Sequence, residues 1–148
     1  MEEKNTGEKY FNDTELLPQR GIKPEIEELI SQIVKESTLI HLGKQDLNYL
    51  YREKEVLKRR IYSFPYENET RMEAILREVV DYSQVDFMRY NRVILLIKTS
   101  SKAPLMMYEL GIVNEIIKQF PERVEVKWGL GWDNTIDDKV FLMMICSY

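Results

Sequence analysis

The chain has a single cysteine, a single histidine and only six glycines, no two of them adjacent. Cys146 by itself makes no internal disulfide, and its place in the apolar run Val140–Cys146 marks it as a buried, inert thiol. One histidine and one cysteine leave none of the usual zinc spacings, so neither a metal nor another cofactor is expected. The glycines (Gly7, Gly21, Gly43, Gly111, Gly129 and Gly131) build no phosphate cradle, which needs consecutive glycines whose backbone N–H groups converge on the anion. Apolar runs such as Val93–Ile97 have the length of a buried strand and fall far short of the roughly 20 residues that span a bilayer. Residues 1–22 are polar and lack the apolar core of a secretory leader, so the expected location is the cytoplasm. Charge of one sign is also missing. Lysine and arginine number 21 against 25 acids, interspersed to a net −4, and no basic stripe or base-stacking aromatic motif points to nucleic acid.

What is present is an ordinary amount of core. A hydrophobic fraction of 44% over 148 residues suits one domain. Residues 1–22 show no apolar periodicity and read as a mobile tail, with Leu16-Leu17-Pro18 its one local docking patch. Residues 23–45 read as a helix and a loop. Pro24 suits a first helical turn, Glu25, Glu27 and Glu28 complement its dipole, and Ile26, Leu29, Ile30, Ile33 and Val34 share one face. Asp46 is placed to cap a second helix presenting Leu47, Leu50, Tyr51 and Leu57, with Arg52-Glu53-Lys54-Glu55 as a solvated face.

Arg59–Phe64 then reads as a strand ended by Pro65. Asn68 or Thr70 caps a third helix, where Thr70 with Glu73 makes a capping box and Met72, Ile75, Leu76, Val79 and Val80 form the buried stripe. Val93–Ile97 has the unbroken apolar character of a central strand covered on both faces or nearly so. A helix over about 105–119 follows, ended before Pro121. Val124, Val126 and Trp128 alternate with charged residues as in a half-wet strand, Gly129–Thr135 reads as a loop, and Val140–Cys146 as the last strand. Met106-Met107 and Met143-Met144 read as core filler, Trp128 as a core and Trp132 as a loop side chain. Asp133, Asp137 and Asp138 lack the spacing of a calcium loop and read as turn residues. The predicted body, residues 46–148, is an α/β (α+β) two-layer sandwich with a four-stranded sheet whose last two strands run antiparallel, preceded by the helix of residues 23–45.

These pieces, in this order, resemble the second, C-terminal domain of the tubulin/FtsZ GTPases. Glu67-Asn68-Glu69-Thr70-Arg71-Met72-Glu73-Ala74-Ile75 is similar to that family's "GENRA-EAA" helix start. Val93–Ile97 resembles the strand after its "gar" turn, and Leu105–Ile117 the helix that follows. Val126-Lys127-Trp128-Gly129, Asp133 and Asp138–Ile145 resemble its closing "vi-G---D-----d-vrvtvia" pattern. The resemblance spans about residues 25–148 and leaves the nucleotide-binding half of the family, with its GGGTG-type loop, without a counterpart. It implies a chain that does not bind GTP by itself.

The same resemblance sets Ile40–Leu47 where the family carries its synergy loop, N-x-D-x-x-D-V. His41 stands at the Asn, Gly43 at the first Asp, Asp46 at the second and Leu47 at the Val, with Lys44 and Gln45 between. In the family, that loop's carboxylates orient the attacking water on the neighbouring subunit's nucleotide. Here one carboxylate is lost to Gly43 and an ammonium is added at Lys44. The loop residues His41, Gly43, Lys44, Gln45 and Asp46 are therefore expected to dock rather than hydrolyse, and Asp46 is either the cap of its helix or a water-positioning acid supplied in trans. His41 has no Ser, Cys or carboxylate cluster beside it in the sequence to make a triad. The leading expectation is a non-enzymatic interaction or structural module, resembling a stand-alone C-terminal domain, that self-associates or docks on a tubulin/FtsZ-like GTPase. Two others stand beside it: a split-GTPase subunit supplying Asp46, and a homo-oligomer reusing the sandwich for a small molecule.

Overall fold

The computed structural model describes residues 12–17 and 24–148, the side chains of 82–87 excepted. The first helix, α1, is Pro24–Glu36, and Ile26, Leu29, Ile30 and Ile33 along one face are all buried. Burying four such side chains contributes roughly 6–12 kcal/mol gross, against about 0.3–1 kcal/mol for each acid at the N-terminal turn. Packing therefore decides where α1 sits. Helix α2 (Lys44–Leu47) runs into a 3-10 turn at Asn48–Arg52. Helix α3 (Arg71–Asp86) and helix α4 (Met107–Ile117) connect the strands.

Five strands make one mixed open sheet: β1 (Asp13–Leu16), β2 (Val56–Tyr62), β3 (Arg92–Thr99), β4 (Glu125–Trp132) and β5 (Val140–Ser147), in the spatial order β1-β2-β5-β3-β4. Only β3 and β4 are parallel, joined by the α4 crossover; the other pairs are antiparallel. Strand parity sorts the side chains. Leu57, Ile61, Val93, Leu95, Leu142 and Met144 point to one core, shared with α3 and α4. Val56, Tyr62, Ile94, Leu96, Met143 and Ile145 point to a second core, shared with α1 and the α2 region.

Two expectations are corrected here. The fold is α/β, but the sheet has five strands and both its faces are covered, so the layers number three rather than two. The physical reason is α1: its apolar stripe needs a partner, and the second sheet face supplies one, so the helix shares a core with residues 46–148. The extra strand is β1, which lies within the stretch read as a tail; Asn12–Leu17 is ordered against β2, with Leu17 buried and Leu16 exposed. The rest of that tail expectation, residues 1–11 and 18–22, falls outside the described residues. Strands β4 and β5 do run in opposite senses, but β3 lies between them.

Smaller differences have local causes. Gly129 and Gly131 lie inside β4 instead of a loop. Met106 and Met107 are exposed, Met107 by 83%, whereas Met143 and Met144 are buried. Glu53 and Glu55 are not simply solvated: Glu53 accepts from the Ser147 hydroxyl at 2.9 Å and Glu55 from Tyr90 at 2.7 Å. The capping box at α3 is as read, with Thr70 N–H donating to Glu73 at 2.8 Å and Glu73 N–H to Thr70 Oγ1 at 3.2 Å. Asn68 instead takes a left-handed turn conformation, φ 68°, which Asn tolerates better than most residues.

Candidate functional site

The chain from Ser37 to Asp46 lies along the free side of β4. Ser37 is fully buried and organises the turn out of α1. Its hydroxyl donates to the Ile33 carbonyl at 2.7 Å and accepts from Leu42 N–H at 2.9 Å. Leu39 and Ile40 N–H both donate to the Leu130 carbonyl, at 2.8 and 3.1 Å, and Leu130 N–H returns a bond to the Ile40 carbonyl at 3.0 Å. The loop is thus a one-rung extension of the sheet beyond β4.

The two glycines of β4 make that approach feasible. A Cβ on Gly129 would sit 2.8 Å from the Ile40 carbonyl oxygen, and one on Gly131 would collide with the Glu36 carbonyl. Glycine within a strand marks where another backbone passes close. The end of α1 is held from the sheet side as well, by the buried Lys98 ammonium 2.8 Å from Glu36 Oε1.

Each residue read as part of the site can now be placed. His41 is exposed, with Nδ1 3.0 Å from the Ser37 carbonyl. Gly43 is buried and occupies the N-cap position of α2, one role the sequence reading gave to Asp46. Asp46 sits three residues further on, half-buried, and its Oδ2 accepts from Gly43 N–H at 2.9 Å. Lys127 of β4 places its ammonium 3.4 Å from Asp46 Oδ1. The Gly43 hydrogen bond, with the Lys127 ammonium beside it, outweighs burial and holds the Asp46 carboxyl below its usual range. Lys44 and Gln45 face solvent, as do Leu39 (45% exposed) and Ile40 (39% exposed). The structure therefore brings Asp46 together with Lys127, a pairing 81 residues apart that no local pattern signals.

A second polar constellation lies at the starts of α3 and α4. The Glu109 side chain is 2% exposed and is clasped by the Arg71 fork, Nε to Oε2 at 2.8 Å and Nη2 to Oε1 at 2.9 Å. Met106 N–H adds a third bond to Glu109 at 2.9 Å, and Arg71 also donates to the carbonyls of Pro104 and Asp138. Burial opposes ionisation of Glu109, but the guanidinium and this N–H outweigh it and hold its carboxyl low. With both oxygens engaged, the group is a clamp between helix starts, not a free acid. An open depression of about 490 Å³ lies beside it, lined by Pro65, Lys102, Pro104 and Tyr108 among others.

The remaining candidates take structural roles. Burial pushes the Cys146 thiol up to about 12. Asp133 closes a turn, accepting from Thr135 N–H and hydroxyl at 3.0 and 2.6 Å. Trp128 packs partly against the core, and Trp132 stands 40% exposed at the end of β4. Among the described residues, no three His, Cys, Asp or Glu side chains group as metal ligands, and no helix is long and apolar enough to cross a membrane. The chain matches no protein-family model and no curated protein sequence.

Proposed function

We propose that the chain is a non-enzymatic interaction module that docks through residues 39–46 on a GTPase of the tubulin/FtsZ type. The observation that carries this reading is the combination of a fixed backbone with outward-facing side chains. Ser37, Leu130 and the β4 glycines immobilise the loop, while Leu39, Ile40, His41, Lys44 and Gln45 face solvent. A surface already ordered loses little conformational entropy on binding, so its apolar contacts count toward affinity. The resemblance of residues 25–148 to the C-terminal domain of that family supplies the partner class, and the observed order of α1, loop and β2–β5 elements is compatible with it.

Asp46 contributes to this reading as a brace. One of its oxygens is taken by Gly43 N–H and the other faces Lys127, which leaves the carboxylate poorly disposed to polarise a water. The test is co-sedimentation with an assembled tubulin/FtsZ-type GTPase from the same cell, with GTP turnover followed in parallel. Binding is expected, and Ile40→Glu should weaken it at least about tenfold, or 1.4 kcal/mol. Asp46→Asn keeps an acceptor for Gly43 N–H and should leave the partner's turnover unchanged. Absence of co-sedimentation would sink the reading. Turnover that falls with Asp46→Asn while binding persists would instead assign the chain to a split enzyme.

A further inference from the structure

The opposite edge of the sheet carries a different surface. Strand β2 presents Lys58, Arg59 and Arg60 in succession, and β1 lies along them in register, Asp13 opposite Arg60, Thr14 opposite Arg59 and Glu15 opposite Lys58. Each pair also meets through its side chains. Arg60 forms a two-pronged ion pair with Asp13, Nε to Oδ1 at 2.9 Å; Lys58 is 3.4 Å from Glu15; and Arg59 Nη1 is 3.3 Å from the Thr14 hydroxyl. The two ends are closed by different means. The Asn12 side chain accepts from Tyr62 N–H at 2.7 Å, and Leu17 N–H donates to the Val56 carbonyl at 3.0 Å while its side chain enters the core beneath α1.

We propose that the outer edge of β2 is an acceptor site for an extended acidic peptide supplied in trans, and that β1 is its internal occupant. The chemistry recognised is read from β1: an amide side chain, acids at the next and third-next positions, then a leucine two residues on, as in Asn12-Asp13-Thr14-Glu15-Leu16-Leu17. Main-chain pairing gives such additions their affinity and alternate side chains their specificity. The charges lie on the face α1 shares, since Asp13 and Glu15 have the parity of Leu17 and meet Lys58 and Arg60, which have the parity of Val56 and Tyr62. A neutral or basic strand would forfeit the Asp13–Arg60 and Glu15–Lys58 ion pairs.

What makes the occupant exchangeable is the balance of its hold. Its hold is one buried leucine, the ladder to β2 alone and ion pairs open to water, against which stands the ordering of six backbone residues. Thr14, Glu15 and Leu16 are exposed, unlike every residue of β5 two strands in. The Arg60 side-chain bond holds the Asp13 carboxyl below its usual range, so the attachment persists at neutral pH and depends on the acid being ionised. This site is independent of the 39–46 loop, which lies across the sheet on β4.

The test uses the full-length chain and a fluorescent peptide of sequence Phe-Asn-Asp-Thr-Glu-Leu-Leu-Pro, read by anisotropy. In Asp13→Lys/Glu15→Lys, β1 repels its own site. This variant should bind the peptide at least about tenfold more tightly than the unmodified chain, because competition in cis is relieved. Adding Arg60→Glu, or raising the salt, should reverse the gain. A folded double variant that binds no better than the unmodified chain, or whose binding ignores Arg60→Glu, would overturn the proposal. Amide exchange keeps the test open should that variant unfold: in the unmodified chain, residues 14–17 should exchange at least about a hundredfold faster than β5. Equal protection of the two strands would also overturn it. Concentration-dependent dimerisation of the unmodified chain, abolished by Arg60→Glu, would assign the edge to β1 of a second copy and overturn the trans-peptide assignment.

Discussion

At the scale of single residues, Glu109 is a buried charge held by named partners. A carboxylate with 2% exposure is tolerable only while the Arg71 fork and Met106 N–H satisfy it. Arg71→Ala should therefore cost about 3–5 kcal/mol in urea unfolding, because it strands a buried charge. Removing both partners in Arg71→Met/Glu109→Leu should cost less than that single change, and a double variant weaker than the single one would refute the clamp. The glycines give a paired comparison. Gly131→Ala pushes a methyl group into the Glu36 carbonyl and should destabilise by about 1–3 kcal/mol or more, whereas Gly111→Ala, on an exposed face of α4 with open space around it, should stabilise by about 0.5–1 kcal/mol. Thermal melts of the two variants should move in opposite directions.

At the scale of elements, one device recurs at three helix starts. An acid in the first turn reaches back to the N-cap N–H: Asp46 to Gly43, Glu73 to Thr70, Glu109 to Met106. Only the middle one was legible, because Thr70-x-x-Glu73 carries its own hydroxyl acceptor. The others have Gly and Met at the cap, neither with a side-chain acceptor to announce it, so the local pattern points to Asp46 as the cap although it stands three residues inside. The loop between α1 and α2 depends on Ser37 in the same local way. Ser37→Ala leaves Leu42 N–H without its acceptor in a buried turn, which should cost about 1–3 kcal/mol and loosen residues 38–42. Faster amide exchange at Leu39, Ile40 and Leu42, with β5 unchanged, is the expected signature; a uniform loss of protection would mean the turn does not open by itself.

At the scale of the whole molecule, the displaced carboxylates act together. Asp13, Asp46, Glu69 and Glu109 are all held below their ordinary values, chiefly by hydrogen bonds from Arg60, Gly43 and Arg77 at the first three, and by Arg71 and Met106 N–H against burial at Glu109. A carboxylate depressed in the folded state stabilises it above the unfolded pKa, near 4, and loses that contribution as pH falls through the folded pKa. The melting temperature should therefore change little through these groups between pH 7 and about pH 5, then fall steadily toward pH 2. Stability that held level to pH 2 would mean these bonds do not survive in solution.

The sequence by itself determined the kinds and order of the main elements. Val93–Ile97 and Val140–Cys146 are apolar runs of strand length, and the stripes of α1 and α3 repeat at helical spacing, so local pattern reaches these elements. Their neighbours were decided only by the tertiary structure. A helical stripe specifies that a face is buried, not which surface buries it, and so α1 became a third layer. Asn12–Leu17 has no strand pattern of its own; it is a strand because Lys58 and Arg60 stand at matching spacing some 45 residues away. Gly129 and Gly131 read locally as a turn and are instead the gap through which the 36–42 backbone passes. In each case the deciding partner lies far along the chain, and only folding brings it within reach.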